Sequence, residues 1–266
     1  MRDAVGDGYD VRSLACTYRD GHAMAAHRHP WAQLVYARTG IMHVTAEQRV
    51  WLVPPTRAIW IPARVEHVIE FRGETALRTL YVAPERACEI ERAAEALEVA
   101  PLLRELILHV VELGMLDPAC APHARLAGTL IDQIACARGV DLALPLPRDE
   151  RALKLVEGLR ADPAEKCELE ELARRAGASL RTLQRRVSEE TGLTIEAWRQ
   201  KARLVHSAAA LTSGASVTEA ALACGYESSS AYIAAFRRQF GATPGEFARA
   251  EREGRARESA PDRVEL

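Results

Sequence analysis

Between Val11 and about Ala83, apolar and polar residues alternate in short runs rich in β-branched and aromatic side chains, as in AQLVYARTGIMHVTAEQRVWLV. A period of two, interrupted at close intervals by turn residues, predicts many short strands and therefore a sandwich or barrel. The break at Ala46-Glu47-Gln48 suits a hairpin, and Pro54-Pro55 ends the strand after it. Beyond Pro84 the period becomes helical. Leu102, Leu103, Leu106, Ile107, Val110 and Val111 form one apolar stripe; Leu126, Leu130, Ile134 and Ala137 form another, with Asp117-Pro118 between them. Two such helices either cover the barrel or pair with their copies in a dimer, and both can hold at once. The stretch GVDLALPLPRDE predicts a linker, with Pro145 and Pro147 opposing helix and Asp149 available as a cap. From there to about Ala250 the pattern is helical throughout, and the last 16 residues, EREGRARESAPDRVEL, are charged with no apolar face.

The predicted class is therefore α+β, in four segments: a barrel over 1–84, amphipathic helices over 85–140, an all-α domain over 149–250 and a charged tail over 251–266. Composition narrows the setting. A hydrophobic fraction of 48% and a charged fraction of 27% are those of a folded globular chain. The six cysteines form no CxxC pair, which fits neither a disulfide framework nor a thiolate zinc site and suits a reducing cytoplasm. The start MRDAVGDGYD lacks the basic and apolar regions of a signal peptide. No apolar run approaches the roughly 20 residues that span a bilayer, so no membrane partner is expected.

The helical third contains an internal repeat. LEELARRAGASLRTLQRRVSEETGLT (Leu169 to Thr194) and VTEAALACGYESSSAYIAAFRRQFGAT (Val217 to Thr243) superimpose with one additional residue in the second turn. Ala173 matches Ala221, Gly177 matches Gly225, Ser179 matches Ser228, Val187 matches Phe236 and Gly192 matches Gly241. Each copy is a short helix, a glycine suited to the left-handed C-terminal cap, then a serine N-cap and a longer helix. Ser216 and Glu219 supply a capping box for the second copy. This is the helix-turn-helix arrangement, twice, over 169–192 and 217–241. The helix joining the copies has about 18 residues and a length of about 27 Å, close to the roughly 34 Å between successive major-groove faces.

With a formal net charge of −2, the whole chain has no attraction for nucleic acid, so the argument must be local. From Arg151 to Arg252 there are 16 Lys and Arg against 13 Asp and Glu, a local +3. Arg181, Gln184, Arg185 and Arg186 cluster on the first reading helix, and Arg and Gln are side chains that pair bidentately with guanine and adenine edges. Arg237 and Arg238, with Ser228 at a helix start, suit phosphates.

On these residues the region Arg151–Ala250 resembles the DNA-binding domain of the arabinose-regulator (AraC/XylS) family of bacterial transcription factors. ASVTEAALACGYESSSAYIAAFRRQFGATPGEF is similar to that family's signature over its full length, including Pro244. The resemblance implies base-reading positions at Arg181, Gln184 and Arg185 in the first helix and at Ser229, Ser230 and Ala234 in the second. Ser179, Thr182, Arg186, Ser228, Arg237 and Arg238 complete the expected DNA-contacting set. Because Ala231 and Ala234 cannot hydrogen-bond a base, the first copy is expected to supply most of the sequence discrimination.

At the other end, HRHPWAQ places His27, His29 and Gln33 within seven residues, spaced to share one face of a strand. Gly21, His27, His29, Gln33 and Gly40 resemble the first metal-binding motif of the cupin barrels, with Gln in place of the usual Glu. The second motif appears as TRAIWIPARVEH, where Pro62 and His67 are in place and Thr56 and Arg64 replace two glycines. Two readings follow. Either His27, His29 and His67, with Gln33 as a fourth ligand, hold a divalent metal, for which three imidazoles favour Zn, Ni, Cu or Fe. Or the histidines line a metal-free effector pocket. Trp31, Tyr36 and Trp60 are candidate pocket residues, although packing within the barrel is the commoner role for such side chains and Trp60, near the His67 loop, suits either.

Together the two resemblances imply a ligand-responsive transcription regulator, activator or repressor, with a cupin sensor, a homodimer through 85–140, promoter DNA as partner and RNA polymerase as a further partner. The competing reading is a metal cupin enzyme, catalysing oxidation or isomerisation, with a helical appendage. Against it, no general base stands near HRHPWAQ, so the expectation is that the chain is not an enzyme.

Overall fold

The computed structural model describes residues 8–162, 167–212, 214–226, 228–249 and 252. The charged tail expected over 251–266 lies outside these residues apart from Arg252. The chain divides into two units, one comprising residues up to 141 without 48–50, the other residues 142–250 together with 48–50.

The first unit opens with β1 (Val11–Tyr18), β2 (Ala23–His27), β3 (Ala32–Ala46), β4 (Arg49–Val53), β5 (Arg57–Ile61) and β6 (His67–Val82). The two long strands organise it. The first half of β3 pairs with β5 and with the second half of β6, while the second half of β3 pairs with the first half of β6. Register shifts between Ala37 and Ile41 mark the bend. Glu47 and Gln48, both at positive φ, make the β3–β4 hairpin, the backbone that a two-residue turn requires.

Cross-strand partners share a face, and successive residues alternate. Leu34 pairs with Trp60 and Leu80, Tyr36 with Ala58 and Arg78, so these lie on one face. Gln33 pairs with Ile61 and Tyr81, placing that trio on the other. The first face is covered by α2 (Pro101–Leu113) and α3 (Ala121–Cys136), which follow a short α1 (Pro84–Ala87). Leu103, Ile107 and Val110 of α2 and Ala127, Leu130, Ile131 and Ile134 of α3 are buried in one cluster with Leu34, Tyr36, Trp60 and Leu80. The helices therefore cover the sheet. The buried stripe is narrower than the sequence pattern, since Leu102 is 54% exposed.

Two segments differ from the sequence expectation. ERAAEALEV predicts helix, yet Glu95–Glu98 is a strand, β7, pairing Trp60 with Glu95 and Arg57 with Glu98. Ala96 and Leu97 are fully buried there, and the open edge of β5 provides hydrogen bonds that outweigh a helical propensity differing by tenths of a kcal/mol per residue. The expected linker carries β9 (Gly139–Val140), after a two-residue β8 (Met115–Leu116), and then β10 (Ala143–Pro145). Leu142, Ala143 and Leu144 are buried, so this stretch is packed chain and not an exposed tether.

The second unit is helical: α4 (Glu150–Ala161), α5 (Leu169–Ala176), α6 (Leu180–Thr191), α7 (Ile195–Thr212), α8 (Val217–Ala223) and α9 (Ser229–Phe240). Both copies of the repeat form as read. Gly177 and Gly225 are left-handed, Ser179 and Ser228 cap α6 and α9, and Ser216 with Glu219 makes a full capping box. Three of the four phenylalanines, Phe236, Phe240 and Phe247, form a ring cluster that continues through Tyr232, whose hydroxyl donates to Ser207 Oγ at 3.0 Å.

Gly40 tests the bend. It sits at φ +81°, and a Cβ there would lie 2.6 Å from the Glu74 carbonyl oxygen and closer still to the Oγ1 of buried Thr75. Gly21 has a similar φ of +76° with nothing within 4 Å. Gly40→Ala should cost about 3 kcal/mol or more by urea unfolding, combining overlap with the left-handed penalty, whereas Gly21→Ala should cost only about 1 kcal/mol. Equal losses would show that the bend tolerates a side chain.

Candidate effector centre and nucleic-acid interface

His27 ends β2 and His67 opens β6, and the two are direct cross-strand partners. His29 is not on a strand, as its spacing suggested, but in the bend between β2 and β3. The three rings nevertheless converge, with centroids 4.3 Å apart for His27–His67, 5.2 Å for His29–His67 and 5.9 Å for His27–His29. One nitrogen from each lies within 4.8 Å of the others.

Hydrogen bonds fix which nitrogens those are. Nδ1 of His27 lies 2.8 Å from the Ala25 carbonyl oxygen, Nδ1 of His29 2.7 Å from that of Trp31, and Nδ1 of His67 2.9 Å from that of Val65. A carbonyl oxygen only accepts, so each Nδ1 carries the proton and each Nε2 presents a lone pair. Gln33 adds a fourth. Its Nε2 donates to Thr79 Oγ1 at 2.9 Å, and Thr79 donates onward to the Leu34 carbonyl at 3.0 Å. That leaves Gln33 Oε1 facing His29 Nε2 at 3.1 Å, acceptor against acceptor. His67 Nε2 is buried with no hydrogen-bond partner. Four acceptors aimed at one another are unfavourable unless something positive or donating lies between them. The backbone-anchored imidazole is also the arrangement that orients metal-ligating histidines. The donor set fits a transition metal, whose tetrahedral ligand atoms stand about 3.3 Å apart, by a contraction of the trio.

Burial pushes the His67 imidazole down to about 4, with the neighbouring His27 and His29 adding to the effect. At neutral pH it is therefore uncharged. Burial likewise pushes the Tyr81 phenol, whose ring meets His29 edge-on, up to about 12.

The other expected pocket residues are not assembled here. Tyr36 and Trp60 belong to the helix-covered core on the opposite face of the sheet, because they stand at the wrong parity on β3 and β5 relative to Gln33 and Ile61. Trp31 packs with Tyr81 and Ala83 beneath the Arg12 guanidinium, 4.5 Å from the indole centroid. Sequence reasoning missed Arg28 and Arg64, which with His29 and Pro30 line a cleft of about 360 Å³. The signal for Arg64 was its replacement of a motif glycine.

In the second unit, Arg181, Gln184, Arg185 and Ser188 form an exposed row along α6. Arg185 is paired with Glu189 at 3.1 Å. Ser179 and Thr182 share the cap of that helix, their hydroxyls 2.8 Å apart. Arg186 does not join the row. It is turned toward Asp149 and Glu189, each 3.8 Å away, because its position three residues beyond buried Leu183 lies at the edge of the core face. There it meets the N-terminus of the domain: Asp149 caps α4, and Glu190 Oε2 accepts from the Arg148 and Asp149 N–H groups. On α9 the exposed residues are Ser229, Ser230, Ala231, Ala234, Arg237 and Arg238.

The family description "AraC-like ligand binding domain" matches residues 13–144, and "Helix-turn-helix domain" matches residues 172–250. The HTH-type transcriptional regulator NimR of Escherichia coli (strain K12) is 32% identical over 221 residues, covering 83% of this chain and 81% of that protein. This chain belongs to the AraC family. With two further relatives the similarity covers about a hundred residues. The HTH-type transcriptional regulator RipA of Corynebacterium glutamicum is 37% identical over 103 residues, or 39% of this chain and 31% of RipA. The HTH-type transcriptional activator RhaS of Escherichia fergusonii is 38% identical over 100 residues, or 37% of this chain and 36% of RhaS. These relatives are named as regulators of transcription, and no finding favours the enzyme reading. The protein is accordingly an AraC-family DNA-binding regulator with an N-terminal ligand-binding domain. Among the described residues no helix is long and apolar enough to cross a membrane.

Buried, uncharged His67 has a consequence in metal-free protein. Unfolded, the imidazole gains its proton near pH 6.5; folded, near 4. Between those values the unfolded chain binds the additional proton, so stability present above pH 6.5 is lost as the pH falls toward 4. In EDTA-treated protein about 2 kcal/mol should disappear between pH 6.5 and 5, read by urea unfolding, and His67→Gln should flatten most of that dependence.

Proposed function

We propose that this AraC-family regulator carries a divalent transition metal on His27, His29 and His67, with Gln33 Oε1 as fourth ligand, and that its effector binds at this centre. The observation that carries the reading is the convergence of four fixed acceptors, one of them a buried and unpartnered nitrogen. Neutral imidazole favours Zn, Ni, Cu or Fe over Mg or Ca. With Gln in place of a carboxylate, no protein charge offsets the ion, which leaves the centre attractive to oxygen anions. Effector binding alters DNA affinity only to the extent that it favours one of two conformations. Elemental analysis of purified protein should show about one metal per chain and a loss of most of it in His29→Ala; no metal in either form would leave the barrel a purely organic pocket.

The proposed DNA-reading groups are Arg181, Gln184 and Arg185 on α6, with Ser229, Ser230 and Ala234 on α9. Long donors on α6 suit base edges, whereas α9 presents hydroxymethyl and methyl groups followed by two arginines, a surface suited to phosphates and thymine methyls. Arg186, held by Asp149 and Glu189, is left out of this set. A homodimer is proposed through α2, where Leu102 and Leu113 are 54% and 42% exposed. RNA polymerase remains a proposed partner.

Base-substitution scanning of the operator should find the half facing α6 costing about 1–3 kcal/mol per base change, measured by gel shift, and the half facing α9 well below that. Equal costs would overturn the division between the two helices.

A further inference from the structure

The cleft beside the histidine centre has an unusual lining. Arg28 and Arg64 face it with His29 and Pro30, and among the described residues neither guanidinium has an ion-pair partner. Like charges gathered without a counter-ion repel, an arrangement that suits a binding site awaiting an anion. Arg64 is also conformationally costly. It sits at φ +67°, a left-handed backbone that disfavours any residue with a Cβ. Its N–H donates to the His29 carbonyl at 2.8 Å, which fixes that backbone against the histidine bend. Glycine would fit there without strain, so the arginine side chain adds something the backbone does not need.

We propose that this cleft is the effector subsite and that it takes a small organic carboxylate, gripped by Arg28 and Arg64 with its remaining atoms directed toward the histidine centre. The inference deepens the effector reading above and rests on it, while the two arginines act whether or not a metal is present. Guanidinium forks match the two oxygens of a carboxylate. A volume of about 360 Å³ stands near the lower end for small-molecule sites, and Pro30 is the sole apolar side chain among the described lining residues. A long hydrocarbon tail would have nothing to pack against. A short, polar acid fits.

The test is calorimetric titration of the full chain, zinc-loaded and EDTA-treated in parallel, with propionate, succinate, their amides and inorganic phosphate as probes. Metal content is measured on the same samples. Carboxylates should bind at least tenfold more tightly than their amides in both preparations. Arg28→Ala and Arg64→Gly should each weaken that binding about tenfold. Arg64→Gly should keep or raise the melting temperature, since it relieves the left-handed arginine, so its loss of binding cannot come from misfolding. Amides binding as well as acids, unchanged affinity in both variants, binding confined to zinc-loaded protein, or phosphate outcompeting every carboxylate would each overturn the proposal. Failure of the untreated protein to take up zinc, with carboxylate binding intact, would remove the metal reading and leave this one standing.

Discussion

Three backbone carbonyls decide the chemistry of the ligand-binding domain. By taking the Nδ1 protons of His27, His29 and His67, the carbonyls of Ala25, Trp31 and Val65 turn every Nε2 into an acceptor. The Gln33 amide, held by Thr79, completes the set with its oxygen. A proton or a metal ion placed among the Nε2 atoms and Gln33 Oε1 relieves it without breaking any of those bonds. The centre is thus poised for an electrophile, and the bent sheet is what holds it so: β2 and β6 present two rings as cross-strand neighbours, and the β2–β3 bend delivers the third.

Two of the three departures from the cupin pattern shift charge in one direction; the third, Thr56 in place of a glycine, is uncharged. Glu becomes Gln at position 33, and a glycine becomes Arg at position 64, while Arg28 lies between the two motif histidines. Each step removes negative charge or adds positive charge around the same few side chains. A neutral amide fixed by Thr79 cannot neutralise a bound cation, and two guanidinia at the cleft cannot neutralise each other. On the proposed reading, the effector supplies the balancing charge.

Much of this was legible in the sequence. The duplicated helix-turn-helix was, because a left-handed glycine and a serine cap are local requirements that leave the same residues at the same spacing in both copies. The histidine trio was legible from motif spacing, although His29 lies in a bend and not on a strand. What failed depended on partners distant in the chain. β7 exists because the edge of β5 was open, and an Ala- and Glu-rich segment carries no sign of that. Tyr36 and Trp60 looked suitable for a pocket by residue type, but the parity of β3 against β5 and β6 sends them to the helices. Arg186 looked like its neighbours until the Asp149 cap of another helix claimed it.

The same contact marks a difference between the two copies of the repeat. α6 is tied to the start of its own domain from two directions, through Arg186 with Asp149 and through Glu190 with the N–H groups of Arg148 and Asp149. The Trp198 indole N–H, at the start of α7, donates to the Pro145 carbonyl at 2.7 Å and fixes the residues just before. A helix held in this way can present long, flexible Arg and Gln side chains with a defined register, because their base is rigid even though their tips are not. α9 is held differently, by its aromatic inner face, and the first two turns of its outer face carry Ser and Ala, with Arg237 and Arg238 beyond them. Short side chains bring a helix backbone close to its target and tolerate little error in approach, whereas long ones reach across a gap. The anchoring of α6 to Arg148 and Asp149 thus fixes the helix with the richer hydrogen-bonding groups to the start of its own unit.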